Sequence, residues 1–180
     1  MFIRRLSPAD APEFRRLRLQ ALQESPTAFG SSYREEAKRT LAAFQKRLEL
    51  RADNWVFGSL QGKQLLGVIR LVREQGSKER HKATIYGLYV APSERRRGVA
   101  RQLLARTIAT ASKLKGVRQI RIGVVASNAA ATALYVKAGF VEYGKEEDAL
   151  FVAGRFHAEF LMVKKLRKSR AGKTKAHVSR

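Results

Sequence analysis

The sequence predicts a single domain of the α/β class. Three observations predict it. At 180 residues with 44% apolar content, the chain is the size of one domain and can bury one substantial core. Several short β-branched or apolar runs are separated by turn residues. After Ala91-Pro92 the apolar spacing alternates between strand-like and helix-like in a β-α-β-α order.

Phe2 to Leu6 reads as a short strand. Ser7-Pro8-Ala9-Asp10 supplies cap residues and an early proline for a helix to about Gln23. Leu17, Ala21, Phe14 and Leu22 form its apolar face, with Arg15, Arg16 and Arg18 expected to point mainly outward. Ser25-Pro26 ends it. Residues 29–36 read as loop, and Thr40 to Leu50 has helical spacing through Leu41, Phe44 and Leu48. Three strands follow over Asn54 to Leu60, Gln64 to Arg73 and Ala83 to Val90, the first two joined tightly by Gln61-Gly62-Lys63. Glu74 to Lys82 is a polar turn. Val99, Leu103, Leu104, Ile108 and Ala111 mark a helix from about Gly98 to Lys115, and Gln119 to Val125 is a strand. Ala129 to Ala138 is a helix ended by Gly139. Phe140 to Glu142 and Ala158 to Leu166 read as closing strands, and Gly144 to Gly154 carries no pattern that assigns it.

Composition excludes several functions. There is no cysteine, so disulfides and thiolate metal sites are ruled out, and His81, His157 and His177 are too scattered for a ligand cluster. No metal site is expected. The N-terminus reaches Pro8 before any long apolar run, and no segment approaches a membrane span; the expectation is a soluble cytoplasmic protein with no membrane partner. The formal net charge is +22, from 37 Lys and Arg against 15 Asp and Glu. Eight of those cations and no acid lie between Lys164 and Arg180, which leaves +14 on residues 1–163. Such a field attracts phosphates, nucleic acid or acidic proteins. From about Lys168 the chain has little apolar content, the signature of a disordered basic tail. The expected organisation is a folded domain over 1–166 and a tail over 167–180.

The most informative segment is Tyr86-Gly87-Leu88-Tyr89-Val90-Ala91-Pro92-Ser93-Glu94-Arg95-Arg96-Arg97-Gly98-Val99-Ala100, in which an apolar strand passes through a basic turn and a glycine into a helix. A strand feeding a helix through such a turn aims free backbone N–H groups and the positive end of the helix dipole at one point. Phosphate suits that point. Gly98 and Ala100 let it approach the backbone closely, and the arginines add positive charge. Read alone, the same residues also fit a solvated basic turn.

Arg95-Arg96-Arg97-Gly98-Val99-Ala100 resembles the R/Q-x-x-G-x-G/A signature of the GNAT acetyltransferases. Asn128-Ala129-Ala130-Ala131-Thr132-Ala133-Leu134-Tyr135-Val136-Lys137-Ala138-Gly139-Phe140 resembles that family's N-x-x-A-x-x-x-Y-x-x-x-G-F element. The two stand in the family's order and at a similar spacing. The resemblance covers residues 1–166 and is closest over 83–141. It implies a single GNAT-type domain: a mixed, mostly antiparallel central sheet of about seven strands, parallel at the coenzyme cleft and flanked by about four helices. It also implies acetyl-CoA as cosubstrate. The turn Arg95, Arg96, Arg97, Gly98, Val99, Ala100 and Arg101 would hold the pyrophosphate. Leu88, Tyr89 and Val90 would bind the pantetheine arm through their main chain, with the strand Gln119 to Val125 splayed away. Asn128 and Tyr135, seven residues apart, fall on one helix face. The resemblance makes Asn128 a pantetheine ligand and Tyr135 the general acid toward the coenzyme thiolate. Asn128 is equally a good helix cap, and Tyr135 equally a core residue.

The implied reaction is direct attack of a neutral amine on the thioester. An alkylamine is mostly protonated at neutral pH, so a base is required. Many relatives carry a glutamate on the strand before the phosphate turn, whereas Ala83 to Val90 contains no acid and has Gly87 in its middle. The candidates elsewhere are Glu35, Glu36, Asp148, and Glu159 with His157, reached through water; Glu159 is favoured because a strand-borne group near the sheet centre can face the cleft. Phe29-Gly30-Ser31-Ser32-Tyr33 resembles a substrate-side loop in outline. The expected function is acetyl transfer to a primary amine of a small molecule or protein. The alternative is a basic RNA- or ribosome-binding module on a vestigial acetyltransferase fold, whose binding would weaken steeply with salt. An acidic or phosphate-bearing acceptor would suit the basic body, although the polyanionic coenzyme accounts for part of the charge. Monomer and homodimer are both compatible with the sequence.

Overall fold

The computed structural model describes residues 1–166, so the expected tail lies outside the described residues. The strands are β1 (Phe2–Arg5), β2 (Asn54–Gln61), β3 (Gln64–Arg73), β4 (Lys82–Val90), β5 (Gln119–Val125), β6 (Val141–Val152) and β7 (Arg155–Lys165). The helices are α1 (Ala11–Glu24), α2 (Tyr33–Ala37), α3 (Leu41–Arg47), α4 (Val99–Lys113) and α5 (Ala129–Lys137). The strands form one sheet in the order β1-β2-β3-β4-β5-β7-β6. All pairings are antiparallel except β4 with β5.

Alternation along the strands feeds two cores, one on each face. Trp55, Phe57, Ile69, Leu71, Ile85 and Ile122 meet Val99, Leu103 and Leu104 of α4 on one face. Val56, Leu60, Leu65 and Val68 meet Phe14, Leu17, Leu22 and Phe44 of α1 and α3 on the other. Strand β4 changes register midway. Arg70 pairs with Tyr86 and Val68 with Tyr89, so one extra residue lies on β4 between them, where Gly87 takes φ +61°. A bulge of this kind reverses which residues face which side. Ala83 and Ile85 before it, and Leu88 and Val90 after it, all serve the α4 core, while Tyr89 joins the opposite one.

Local chemistry explains the helix ends. Ser32 accepts from the Glu35 amide at 3.2 Å and its own amide donates to the Glu35 carboxylate at 3.0 Å, a complete capping box that begins α2 within the segment expected to be loop. Thr40 and Asn128 cap α3 and α5 through the Ala43 and Ala131 amides. Residues 141–152 and 155–165 form one long hairpin turned at Ala153-Gly154, so the unassigned stretch is strand. β6 is the sheet edge, with register shifts at Glu142/Gly144 and Glu146/Leu150 and little burial on either face.

Candidate active site

Strands β4 and β5 pair only through Lys82–Gln119, Ala83–Ile120 and Thr84–Arg121. Beyond that point each keeps its other neighbour and they part, so β4 has no strand on its β5 side from Ile85 onward. A cleft of about 450 Å³ opens there. Its walls come from β4 (Ile85 to Leu88), β5 (Ile122 to Val125), α1, the segment Ala28 to Ser31, and α5.

The end of β4 leads to the turn before α4. Gly98 is the helix N-cap at φ +80°, and Arg96 is also left-handed at φ 62°. The first amide with a helical acceptor is that of Gln102, which donates to the Gly98 carbonyl at 3.1 Å. The amides of Arg96 through Arg101 have no acceptor among the described residues. Free donors at the positive end of a fifteen-residue helix can hydrogen-bond an anion without any side chain. Arg95, Arg96 and Arg97 are exposed. Arg97 pairs with Glu94 at 2.9 Å. Arg95 turns back toward α1: it pairs with Glu24, stacks over the Tyr89 ring at 5.6 Å and donates to the Val90 carbonyl at 3.0 Å. Its side chain braces the turn. Tyr89 donates to the same Glu24, and burial together with that carboxylate pushes its hydroxyl pKa up to about 12.

Leu88, Asn128, Tyr135 and Glu159 all line the cleft. Tyr89 and Val90 have buried side chains and do not line the cleft; the Val90 carbonyl accepts from Arg95. Asn128 Oδ1 accepts from the Ala131 amide at 3.1 Å, and its Nδ2 has no acceptor among the described residues. Tyr135 is 5% exposed and packs edge-on to Phe140 at 5.9 Å between ring centres. Among the described residues its hydroxyl has no hydrogen-bond partner, and burial pushes its pKa up.

A close approach places Glu159. A Cβ on Gly123 would stand 2.8 Å from Glu159 Oε2, so the carboxylate lies across the bare backbone of β5. Glu159 has no ion pair among the described residues. Burial first, and Glu146 opposite it on β6 second, push its pKa up.

The other proposed acids sit differently. Glu35 belongs to the α2 cap. Glu36 does line the cleft and is 1% exposed, but Arg47 grips it at 2.8 and 3.0 Å and Arg39 approaches at 3.6 Å. Desolvation raises its pKa, yet the arginines outweigh that and hold it low. Asp148 is exposed, and neither it nor His157 lines the cleft. Gly30 and Ser31 of the early loop do.

The model of the Acetyltransferase (GNAT) family matches residues 18–140. The chain belongs to the GNAT acetyltransferase family. A GNAT relative, the spermidine N(1)-acetyltransferase of Vibrio cholerae, is 28% identical over 94 residues, 52% of this chain and 53% of that protein; the chain thus spans about half the length of the curated relative it matches. Among solved structures, the ribosomal-protein-alanine N-acetyltransferase of Brucella melitensis is 27% identical with a TM-score of 0.80, over 92% of this chain and 100% of that one. The yncA protein of Salmonella typhimurium, whose structure contains acetyl-CoA, shares the fold at 21% identity, with a TM-score of 0.76 over 97% and 98% of the two chains.

Sequence reasoning missed three arginines in this GNAT cleft, Arg18, Arg47 and Arg70, and the part played by Gly123. Arg18 was expected to point outward. It turns inward instead, because it lies four residues from both Phe14 and Leu22, which are buried on the same helix face. That spacing is visible in the sequence. Arg15 is also half-buried, with Nε left without a partner and Nη2 donating to the Ala37 carbonyl at 3.3 Å, since α2 covers that side of α1.

Proposed function

We propose that residues 1–166 transfer the acetyl group of acetyl-CoA directly to a primary amine. The observation that carries this reading is the succession of two stretches of backbone open to a ligand: the β4 edge released by β5 leads, through the hydrogen-bonded turn of residues 91–95, to the acceptor-free amides of Arg96 to Arg101. Together they match a ligand with a strand-like arm and a diphosphate. The acetyl-CoA complex of the Salmonella protein on the same fold supports it.

Acetyl-CoA is the donor. Its diphosphate sits on the turn amides with Arg96 and Arg101 beside them, and its pantetheine extends the sheet along Leu88 to Val90. Asn128 Nδ2 is placed to bond that arm while Oδ1 caps α5. The entering ammonium gives one proton to Glu159, whose raised pKa suits it as acceptor near neutral pH. The free amine attacks the carbonyl carbon, whose oxygen is polarised by β4 amide groups. A second proton leaves the nitrogen to solvent as the C–N bond is completed. The C–S bond breaks, and Tyr135 donates a proton to the departing sulfur. Burial keeps the Tyr135 hydroxyl in its neutral form, so it holds a proton to give, and it regains that proton from solvent as the products leave.

Tyr135→Phe should lower kcat by roughly 10²-fold or more with acetyl-CoA affinity unchanged. Turnover within twofold of the parent enzyme would remove Tyr135 from the role of acid.

A further inference from the structure

Three guanidinium groups line the cleft: Arg18 from α1, Arg47 at the end of α3 and Arg70 from β3. Two carboxylates face them there, Glu36 and Glu159. Glu36 is engaged in a two-pronged pair with Arg47. Arg18 and Arg70 have no ion pair among the described residues.

Each is held instead by a neutral acceptor. Arg18 Nη2 donates to Ser31 Oγ at 2.9 Å, with its guanidinium 4.6 Å from the centre of the Phe29 ring. Arg70 Nε donates to Asn54 Oδ1 at 2.7 Å, and buried Asn54 is itself fixed by donating to the Arg47 carbonyl at 2.9 Å. Neutral anchors set the direction of each fork without cancelling its charge. The remaining N–H donors stay free for an oxyanion. Burial lowers the pKa of both side chains from the ordinary guanidinium value, yet a guanidinium stays ionised in protein surroundings.

Both groups flank the bulge of β4. A Cβ on Gly87 would stand 3.8 Å from Arg18 Nη1, and Arg70 is the cross-strand partner of Tyr86. On the acetyl-transfer reading above, on which this inference rests, the bulge is where acceptor and thioester meet. We propose that the acceptor is a small amine carrying its own anionic head, a carboxylate or phosphonate, which Arg18 and Arg70 bind while the amine faces the thioester. A polyamine would instead place further positive charge against two guanidinium groups that have no ion pair among the described residues.

Matched acceptors test this on the full-length protein. L-amino acids, their decarboxylated amines, the corresponding aminophosphonates and spermidine are each supplied with acetyl-CoA, and coenzyme release is followed with a thiol-reactive dye. The enzyme contains no cysteine to interfere. The anionic member of a pair should have at least a 10-fold higher kcat/KM, and the better of carboxylate and phosphonate identifies the head. Arg18→Gln and Arg70→Gln should each raise KM for that acceptor by about 10- to 100-fold, the range for lost hydrogen bonds to a charged group. The KM values for acetyl-CoA and for the decarboxylated amine should be unchanged. A preference for spermidine or the decarboxylated amines, equal losses on both members of a pair, or no turnover of any anionic amine would overturn the inference. Calorimetric titration with acetyl-CoA keeps the two failures apart: loss of coenzyme binding undermines acetyl transfer itself, whereas intact binding with the wrong acceptor preference undermines only the anionic head.

Discussion

Glu159 has no ion pair among the described residues, in a chain of net charge +22, and that isolation is what the proposed role as base draws on. Burial and Glu146 both disfavour its charged form, so its pKa in the folded state lies above the unfolded value. Two consequences have opposite senses. The stability this group leaves intact is fully present below its unfolded pKa and is lost as pH rises through the folded one. On the proposed role of Glu159 as base, activity requires the ionised form and therefore rises over the same window. The acidic limb of the kcat/KM profile should fall above the usual carboxylate range and disappear in Glu159→Gln. Gly123→Ala tests position separately from charge: the new methyl group meets only the flexible end of Glu159. Stability should change by less than about 1 kcal/mol, as for substitutions that leave the core intact. Turnover should fall about 10-fold as the carboxylate is displaced. An unchanged pH profile in Glu159→Gln would assign proton removal to another group.

At the scale of elements, the position of the turn before α4 depends on how closely that helix lies against the sheet. Gly67 of β3 makes that approach possible: a Cβ there would stand 3.1 Å from Leu103, 3.2 Å from the Tyr89 carbonyl and 3.3 Å from Val99. Gly67→Ala should cost about 1–3 kcal/mol as overpacking, read from denaturant midpoints, and should weaken acetyl-CoA binding by shifting the turn. Strands and helices that bury one face were legible because burial imposes a period: β3 and β5 have the bounds their apolar runs predict. The edge strand β6 was not. Two register shifts and exposure on both faces erase the alternation in Lys145-Glu146-Glu147-Asp148. Helix α2 was legible in principle, through Ser32 and Glu35 three residues on, but its five residues are too short for an apolar period.

Across the whole molecule, the sheet order and the parting of β4 from β5 create a site that no single segment contains. The placement of motifs local in sequence, the turn before α4 and the Asn128–Tyr135 pair on α5, was readable because each depends on neighbouring residues. Arg18, Arg47, Arg70 and Gly123 come from four elements and meet only when the sheet is assembled. On the proposed function, the β4 edge and the Arg96–Arg101 amides form one acetyl-CoA site. Calorimetric titration of the protein and of Gly98→Glu with acetyl-CoA, at two salt concentrations, tests it most directly. The variant forces a side chain into a left-handed position at φ +80° and sets a negative charge at the helix end, so circular dichroism should accompany it. The account predicts saturable binding near one equivalent to the parent protein at both salt concentrations and no measurable binding to the folded variant. Absence of binding to the parent, or undiminished affinity in a folded Gly98→Glu protein, would contradict it.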